Sequence, residues 1–181
     1  MKHNLSLVVK TYFAIVIVGA GLLIFGYAAV QQTIRLGAND PQWQLVQDGS
    51  SRLGADASPA AVVGTSVIAM KSSLAPFTIV TDRNYHVVAS SGRLGGATVL
   101  PPSGSFEASL KRGNNWFTWQ PAAGVREATI IMPFGGTHPG YILAARSLSR
   151  VEQNIDIISR LAFFTLIGIV IAPAILLLKR V

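Results

Sequence analysis

Cysteine is absent from this 181-residue chain. Its absence excludes a disulfide framework, a thiolate nucleophile and any metal or iron–sulfur site with cysteine ligands. Charge is also scarce, since 13% of the residues are charged while 50% are apolar. This balance suits a membrane protein with one small soluble domain better than a soluble enzyme.

Sequence patterns of catalytic and metal sites are missing as well. No serine lies in a Gly-x-Ser-x-Gly motif, and no glycine-rich stretch ends in the Lys-Ser or Lys-Thr of a phosphate-binding loop. The three histidines, His3, His86 and His138, are isolated from one another, and their spacing supports no metal site. We therefore expect neither enzymatic activity nor a metal or other cofactor.

The formal net charge of +7 would on its own favour nucleic-acid binding, but the placement of the charges argues against it. Eleven of the fifteen basic residues and all eight acids lie between two long uncharged runs, so this segment carries only +3. The other four bases lie at the chain ends: Lys2, Lys10, Lys179 and Arg180. Basic residues flanking a span hold those ends in the cytoplasm. We predict an inner bacterial membrane location, cytoplasmic termini and a periplasmic domain, with no nucleic-acid partner.

The two uncharged runs are predicted to be transmembrane helices. Residues 12–30 would cover about 28 Å of bilayer, enough for one crossing. A signal peptide cleaved after Gly26-Tyr27-Ala28 is the alternative, and we expect the span to be retained. Residues 161–178 continue from a polar helical stretch, and Pro173 favours a kink in the last turns. The predicted organisation is a cytoplasmic end (1–11), a span (12–30), an extracytoplasmic domain (31–160), a second span (161–178) and a cytoplasmic end (179–181).

Small residues recur at helical spacing within both spans. Thr165, Gly168 and Ala172 fall on one face, and small residues four apart let helix backbones approach closely in lipid. Gly19 and Gly26 are seven apart in the first span and share a stripe. These residues predict close helix packing, either between the two spans or against helices of another protein.

The segment between the spans is predicted to be an α+β domain built on one antiparallel sheet. Its order is helix, two strands, helix, three strands, helix. The predicted helices are 42–53 and 105–112, the predicted strands are 75–82, 86–90, 115–120, 125–134 and 140–148, and residues 55–61 are predicted to be a loop. The first helix has few apolar residues, so we expect it to lie on a surface, with Trp43 and Leu45 as candidates for partner docking.

Three features carry a resemblance to a known family: this order of elements, the hairpin Phe77-Thr-Ile-Val-Thr-Asp-Arg-Asn-Tyr-His-Val-Val-Ala-Ser90, and the exit through residues 146–152 into an apolar helix. Together they resemble the extracytoplasmic PAS-like (Cache or PDC) sensor domains of bacterial receptors. The resemblance covers about residues 12–178, and one departure is Tyr85, where such hairpins commonly carry glycine. It implies a ligand pocket between the sheet and the crossing helices. The candidate lining residues are Trp116, Thr118, Arg126, Tyr141 and Arg146. An arginine there would suit a carboxylate ligand, whereas ordinary packing of the aromatics and solvation of Arg126 are the alternatives.

Receptors of this family continue past the second span into a HAMP linker, kinase, cyclase or chemotaxis signalling domain, whereas this sequence stops at Lys179-Arg180-Val181. We therefore expect its action to pass to another polypeptide. The first hypothesis is a non-catalytic accessory subunit of a respiratory, photosynthetic or transport complex, in contact with other membrane-protein subunits and the lipid bilayer. The second is a small-molecule sensor that signals through a separate partner protein.

Overall fold

A computed structural model describes residues 2–37 and 40–178 of the chain. The chain divides into two compact units, one made of the two terminal helical segments and one spanning Leu36–Val151. The elements in chain order are α1 (Lys2–Gly37), α2 (Asp40–Gly54), α3 (Pro59–Val63), β1 (Ile68–Ala69), β2 (Phe77–Asp82), β3 (Val87–Ser90), β4 (Gly92–Arg93), α4 (Ser103–Arg112), β5 (Asn115–Ala122), β6 (Val125–Phe134), β7 (Gly140–Ser147) and α5 (Ser149–Leu178).

The helical unit contains two helices that are long and apolar enough to cross a membrane. These candidate spans are the helical segments Ser6–Ile34 and Ser149–Leu178, each of which contains a long apolar run. Large side chains such as Phe25 and Phe164 are exposed along them, which a protein surrounded by water avoids over so long a stretch. The single helix α5 confirms that the polar stretch after Ser149 continues into the second apolar run.

The second unit is built on one five-stranded antiparallel sheet, which confirms the predicted α+β class. Its strand order is β3-β2-β7-β6-β5. The first and last of these strands in the chain, β2 and β7, are neighbours, with Ile79 opposite Leu143. Helix α4 connects the hairpin of β2 and β3 to the three consecutive strands β5, β6 and β7. The predicted crossing helix and the predicted strands are thus present, with ends that differ by at most two residues.

Both faces of the sheet are covered. Helices α2 and α3 pack on one face, here called the α2 face, and α4 packs on the other, the α4 face. The α2 face holds a buried core of Val46, Leu53, Val80, Ile130, Ile142 and Ala144. The α4 face holds a buried core of Met70, Phe77, Ile79, Phe106, Val125, Ile131, Tyr141, Leu143 and Ala145. Because both of their faces are covered, β2 and β7 bury consecutive residues instead of alternate ones.

Helix α2 lies on the sheet through one buried stripe. Gln42, Val46, Gly49 and Leu53 recur at intervals of three or four and are all buried. A Cβ atom on Gly49 would lie 2.2 Å from the Cδ1 atom of Ile142, so the absence of a side chain at Gly49 makes room for the end of the Ile142 side chain. The predicted helix is present, and it packs on the chain's own sheet, where Val46 and Leu53 belong to the core of the α2 face.

Two short features differ from the predicted loops. Helix α3 occupies part of the predicted loop 55–61, because the Ser58 side chain caps it by accepting from the Ala61 backbone N–H and Pro59 suits the first turn. Strand β4 (Gly92–Arg93) lies between the predicted strand 86–90 and the predicted helix 105–112, and it pairs in parallel with β1. This pairing joins residues about 24 positions apart, which no local pattern predicts.

Candidate functional site

The five predicted ligand residues do not line one pocket. Thr118 lies opposite Ala128 on β6, and Ala128 lies opposite Arg146 on β7, so these three form a row on the α2 face. Trp116 lies two residues before Thr118, and Arg126 lies two residues before Ala128, so both side chains point to the same face. Tyr141 lies five positions before Arg146 on β7 and therefore points to the α4 face. The candidate residues are thus split between opposite sides of the sheet.

The four residues on the α2 face are mostly at the surface. Trp116 is 64% exposed, and Thr118 and Arg126 are also exposed. Arg146 is half-buried, and its Nε atom donates to the backbone oxygen of Leu74 at 2.9 Å. The Arg146 side chain thus fixes the loop before β2, which is a structural role.

The space between the sheet and α4 is filled by aromatic side chains. Ring centroids of Tyr85 and Phe106 are 5.0 Å apart, those of Phe106 and Tyr141 are 5.4 Å apart, and those of Tyr85 and Tyr141 are 5.7 Å apart. Tyr85 has a φ of 66°, a conformation rare for residues other than glycine. Its ring packs in the core of the α4 face, which compensates for the backbone strain. The interior therefore holds packed protein where the resemblance implies a ligand pocket.

Glu127 is a buried acid in β6, near the start of the strand that the sequence predicts at 125–134. Its side chain is 0% exposed, and neither carboxylate oxygen has a hydrogen-bond partner among the described residues. Burial raises its pKa to about 7, so the group is neutral at mildly acidic pH. Glu127 lies two residues before Thr129 and four before Ile131, and both of these residues are buried. Side chains at every second position of a strand share one face, so this spacing predicts that Glu127 points into the protein.

A cleft lies at the end of the sheet away from Ser147. It consists of two adjoining pockets of about 300 Å³ and about 440 Å³, formed by the α2–α3 loop, the β2–β3 turn and the β6–β7 loop. The residues that line both pockets are Pro59, Phe134, Thr137 and His138. Arg83 and Asn84 are exposed on its rim. The cleft thus combines an apolar floor with polar groups at its mouth.

The two carboxylates of this cleft serve the backbone around them. Asp56 accepts hydrogen bonds from the backbone N and the Oγ1 atom of Thr137, at 2.9 Å and 3.0 Å. These bonds lower the pKa of Asp56 below its usual value. Asp82 accepts from the backbone N atoms of Asn84 and His86, both at 2.8 Å. Both acids therefore hold loops in place.

Replacing Asp56 with alanine is expected to loosen the β6–β7 loop. The change removes both acceptors of Thr137, so the Thr137 backbone amide should exchange with deuterium faster. Because the pKa of Asp56 is lowered, acidification below about pH 4 should loosen the same loop in the unmodified chain. Hydrogen exchange read by NMR measures both effects. Asp48→Ala, on the exposed side of α2, is the control and should leave Thr137 unchanged.

The predicted docking residues of α2 differ in their surroundings. Trp43 is half-buried and packs against the core of the α2 face, whereas Leu45 is exposed. The Trp43 ring therefore contributes to the fold itself, and Leu45 is the part of this pair that faces outward.

The small residues of the two long helices also fall into two groups. A Cβ atom on Gly19 would lie 2.9 Å from the Cγ2 atom of Ile169, so α1 and α5 contact each other there. The hydroxyls of Tyr27 and Ser159 are 2.9 Å apart. The space beside Gly26 and Gly168 is open, and Thr165 and Ala172 are exposed. The helices thus pair through Gly19 and leave the other four predicted residues facing outward.

Replacing Gly19 with leucine is expected to separate α1 from α5. The added side chain overlaps Ile169, and overpacking of this kind costs about 1–3 kcal/mol. Because the chain contains no cysteine, Tyr27→Cys and Ser159→Cys together introduce one thiol on each helix, and a bifunctional thiol reagent that spans the space left by the tyrosine ring reports helix pairing. Gly19→Leu should lower the cross-linking yield, and Gly21→Leu, where the surrounding space is open, should preserve it. Equal yields would show that this contact does not hold the pair together.

The described residues therefore define a class: an α+β sheet domain carried on two helices long enough to cross a membrane. No protein-family model, no curated protein and no solved structure matches the chain. The resemblance to PAS-like sensor domains accordingly stays a prediction from the sequence.

Proposed function

We propose that this protein is a non-catalytic accessory subunit of a larger membrane complex, to which its sheet domain contributes protein–protein contacts. The observation that carries the proposal is the filled interior of the α4 face. Tyr85, Phe106 and Tyr141 occupy the region where a sensor of the PAS-like kind would hold its ligand. Packed aromatic rings in that region favour contacts made by the surface of the domain, and Trp116 is a large exposed aromatic side chain of the kind enriched in interfaces.

Anchoring in the inner bacterial membrane is part of the proposal. The exposed apolar side chains of α1 and α5 suit lipid contact, and basic residues flank both apolar runs. With both termini in the cytoplasm, the domain would lie in the periplasm. The outward-facing small residues Gly26, Gly168 and Ala172 leave room for close contact with helices of other subunits.

A PAS-like fold is the finer form of the fold proposal. Its support is the order of elements, in which a hairpin is followed by a crossing helix and three antiparallel strands. The positive φ of Tyr85 adds to this support, because such hairpins commonly carry glycine at that position.

A small-molecule sensor that signals through a separate partner is the second candidate function. The cleft lined by Phe134, Thr137 and His138 favours it, because a volume of about 440 Å³ with an apolar floor and a polar rim is within the range of ligand sites. A ligand of this cleft would contact loops and not the sheet interior.

Purification in mild detergent tests the accessory function against the sensor. The whole chain, carrying an affinity tag, is extracted from its native membrane, and the proteins that migrate with it are identified and quantified. Stoichiometric membrane subunits are the expected result. A monodisperse chain without partners that binds a metabolite would support the sensor instead.

Protease treatment of intact spheroplasts tests the orientation. Added protease should cut within residues 36–151 and leave both terminal tails intact, because only the domain is proposed to lie outside the cytoplasm. Protection of the domain together with cleavage of the tails would reverse the proposed topology.

A further inference from the structure

Strand β5 is an uncovered edge of the sheet. Among the described strands it pairs with β6 alone, in regular register from Asn115 to Trp119. The opposite edge strand, β3, has only four residues, and α3 contacts it from the α2 face. The two edges therefore differ in length, and the eight-residue β5 presents the longer row of backbone N–H and C=O groups.

The features that usually protect an edge strand are missing along most of β5. Natural edges are protected by charged side chains, proline, bulges or short length. No residue of Asn115–Ala122 is charged. The one proline, Pro121, and the register shift after Trp119 lie at the far end, so they leave five consecutive residues open to pairing.

The side chains along this edge are suited to contact. Trp116 is 64% exposed, Thr118 and Gln120 are exposed beside it, and all three lie on the same side of the strand. Exposed Lys111 and Arg112 lie in the last turn of α4, just before the strand begins. The edge is thus uncharged along its length and positively charged beside its first residues.

We infer that β5 binds an extended segment of a partner subunit, which adds to the sheet as a sixth strand. The inference rests on the proposed accessory function. The unpaired backbone N–H and C=O groups of an edge strand are satisfied by the backbone of another extended segment. A helix does not satisfy them, because its backbone N–H and C=O groups are already paired within the helix. The segment should be uncharged over about five residues, place an apolar side chain on Trp116 and carry acidic residues beside Lys111 and Arg112.

The test compares edge variants in the full chain, purified with its partners in mild detergent. Thr118→Lys and Trp116→Lys place a charge on β5, and Val88→Lys places the same charge on an exposed position of the β3 edge. Both β5 variants should retain about a tenth or less of the partner, whereas Val88→Lys should retain it fully. Unchanged thermal stability of the variants shows that each one is folded.

Hydrogen exchange supplies the readout that is specific for strand addition. Within residues 115–119, the backbone amides that point away from β6 should exchange about tenfold more slowly in the complex than in the same chain stripped of partners, because they gain backbone hydrogen bonds. Partner retention by both β5 variants, or unchanged exchange, would overturn the inference and leave the accessory function standing. A homodimer that Thr118→Lys dissociates would overturn the assignment to a partner subunit. A wild-type chain without any partner would overturn both proposals.

Discussion

Replacing Glu127 with glutamine is expected to remove most of the pH dependence of the domain's stability between pH 4.5 and about 7. The buried carboxyl has no hydrogen-bond partner, so the folded domain holds it in the neutral form. In the unfolded chain the same group ionises near pH 4.5. The folded state therefore binds the proton more tightly than the unfolded state does.

The sign of the effect follows from this difference in proton affinity. Because the folded pKa is raised, the free energy of unfolding is highest below pH 4.5, falls as the pH rises to about 7 and is then constant. The loss amounts to at most about 3 kcal/mol, from about 1.4 kcal/mol per pKa unit. Glutamine is neutral at every pH, so the variant should match the wild type near pH 4.5 and be more stable at pH 8.

Urea unfolding at several pH values between 4 and 8 measures this effect. Tryptophan fluorescence is a suitable signal, since Trp119 lies directly opposite Glu127 in the sheet. The control is Glu107→Gln on the exposed side of α4, which should leave the pH profile unchanged. Parallel profiles for the wild type and Glu127→Gln would show that Glu127 is ionised in the folded domain.

Replacing Gly140 with alanine is expected to prevent stable folding of the sheet. A Cβ atom on Gly140 would lie 2.0 Å from the backbone oxygen of Thr81 on the neighbouring strand. A backbone atom cannot rotate away as a flexible side chain can, and the two strands are held by their pairing from Phe77 to Asp82. We expect a cost of about 3 kcal/mol or more, the upper part of the range for overpacking.

Thermal unfolding of the purified chain checks this expectation. Gly135→Ala is the matched control, because it lies in the same β6–β7 connection, has open space around it and lacks a positive φ. The control should unfold close to the wild-type temperature, and Gly140→Ala should unfold well below it or fail to accumulate. Equal unfolding temperatures would mean that β2 and β7 separate at this point at little cost.

Most secondary-structure elements could be predicted because their causes are local. The strand over Val125–Phe134 is present with the predicted ends, since Ala123-Gly124 before it and Gly135-Gly136 after it break the pattern. The missed helix α3 also had a local signal, the Ser58-Pro59 start. Whether such a segment forms a helix or a strand is therefore predicted by patterns that span only a few residues.

The candidate ligand residues show where local reasoning stopped. All five are residue types that suit a pocket, but Tyr141 and Arg146 are five positions apart on one strand and therefore point to opposite faces of the sheet. Glu127 was missed for the opposite reason. The spacing of Glu127, Thr129 and Ile131 at every second residue predicts that they share one face of the strand. An acidic side chain in a strand nevertheless suggests a solvent-exposed face, unless the elements that pack on that face are known.

By itself, the sequence determined two long apolar helices and an α+β domain between them, because hydrophobic run length and side-chain periodicity depend on neighbours in the chain. Only the tertiary structure decided which sheet face each helix covers, that the interior is filled with aromatic rings, that Glu127 has no partner and that β5 is left uncovered. Each of these depends on contacts between residues far apart in the chain. Such contacts are set by how the sheet and helices pack, which no local pattern encodes.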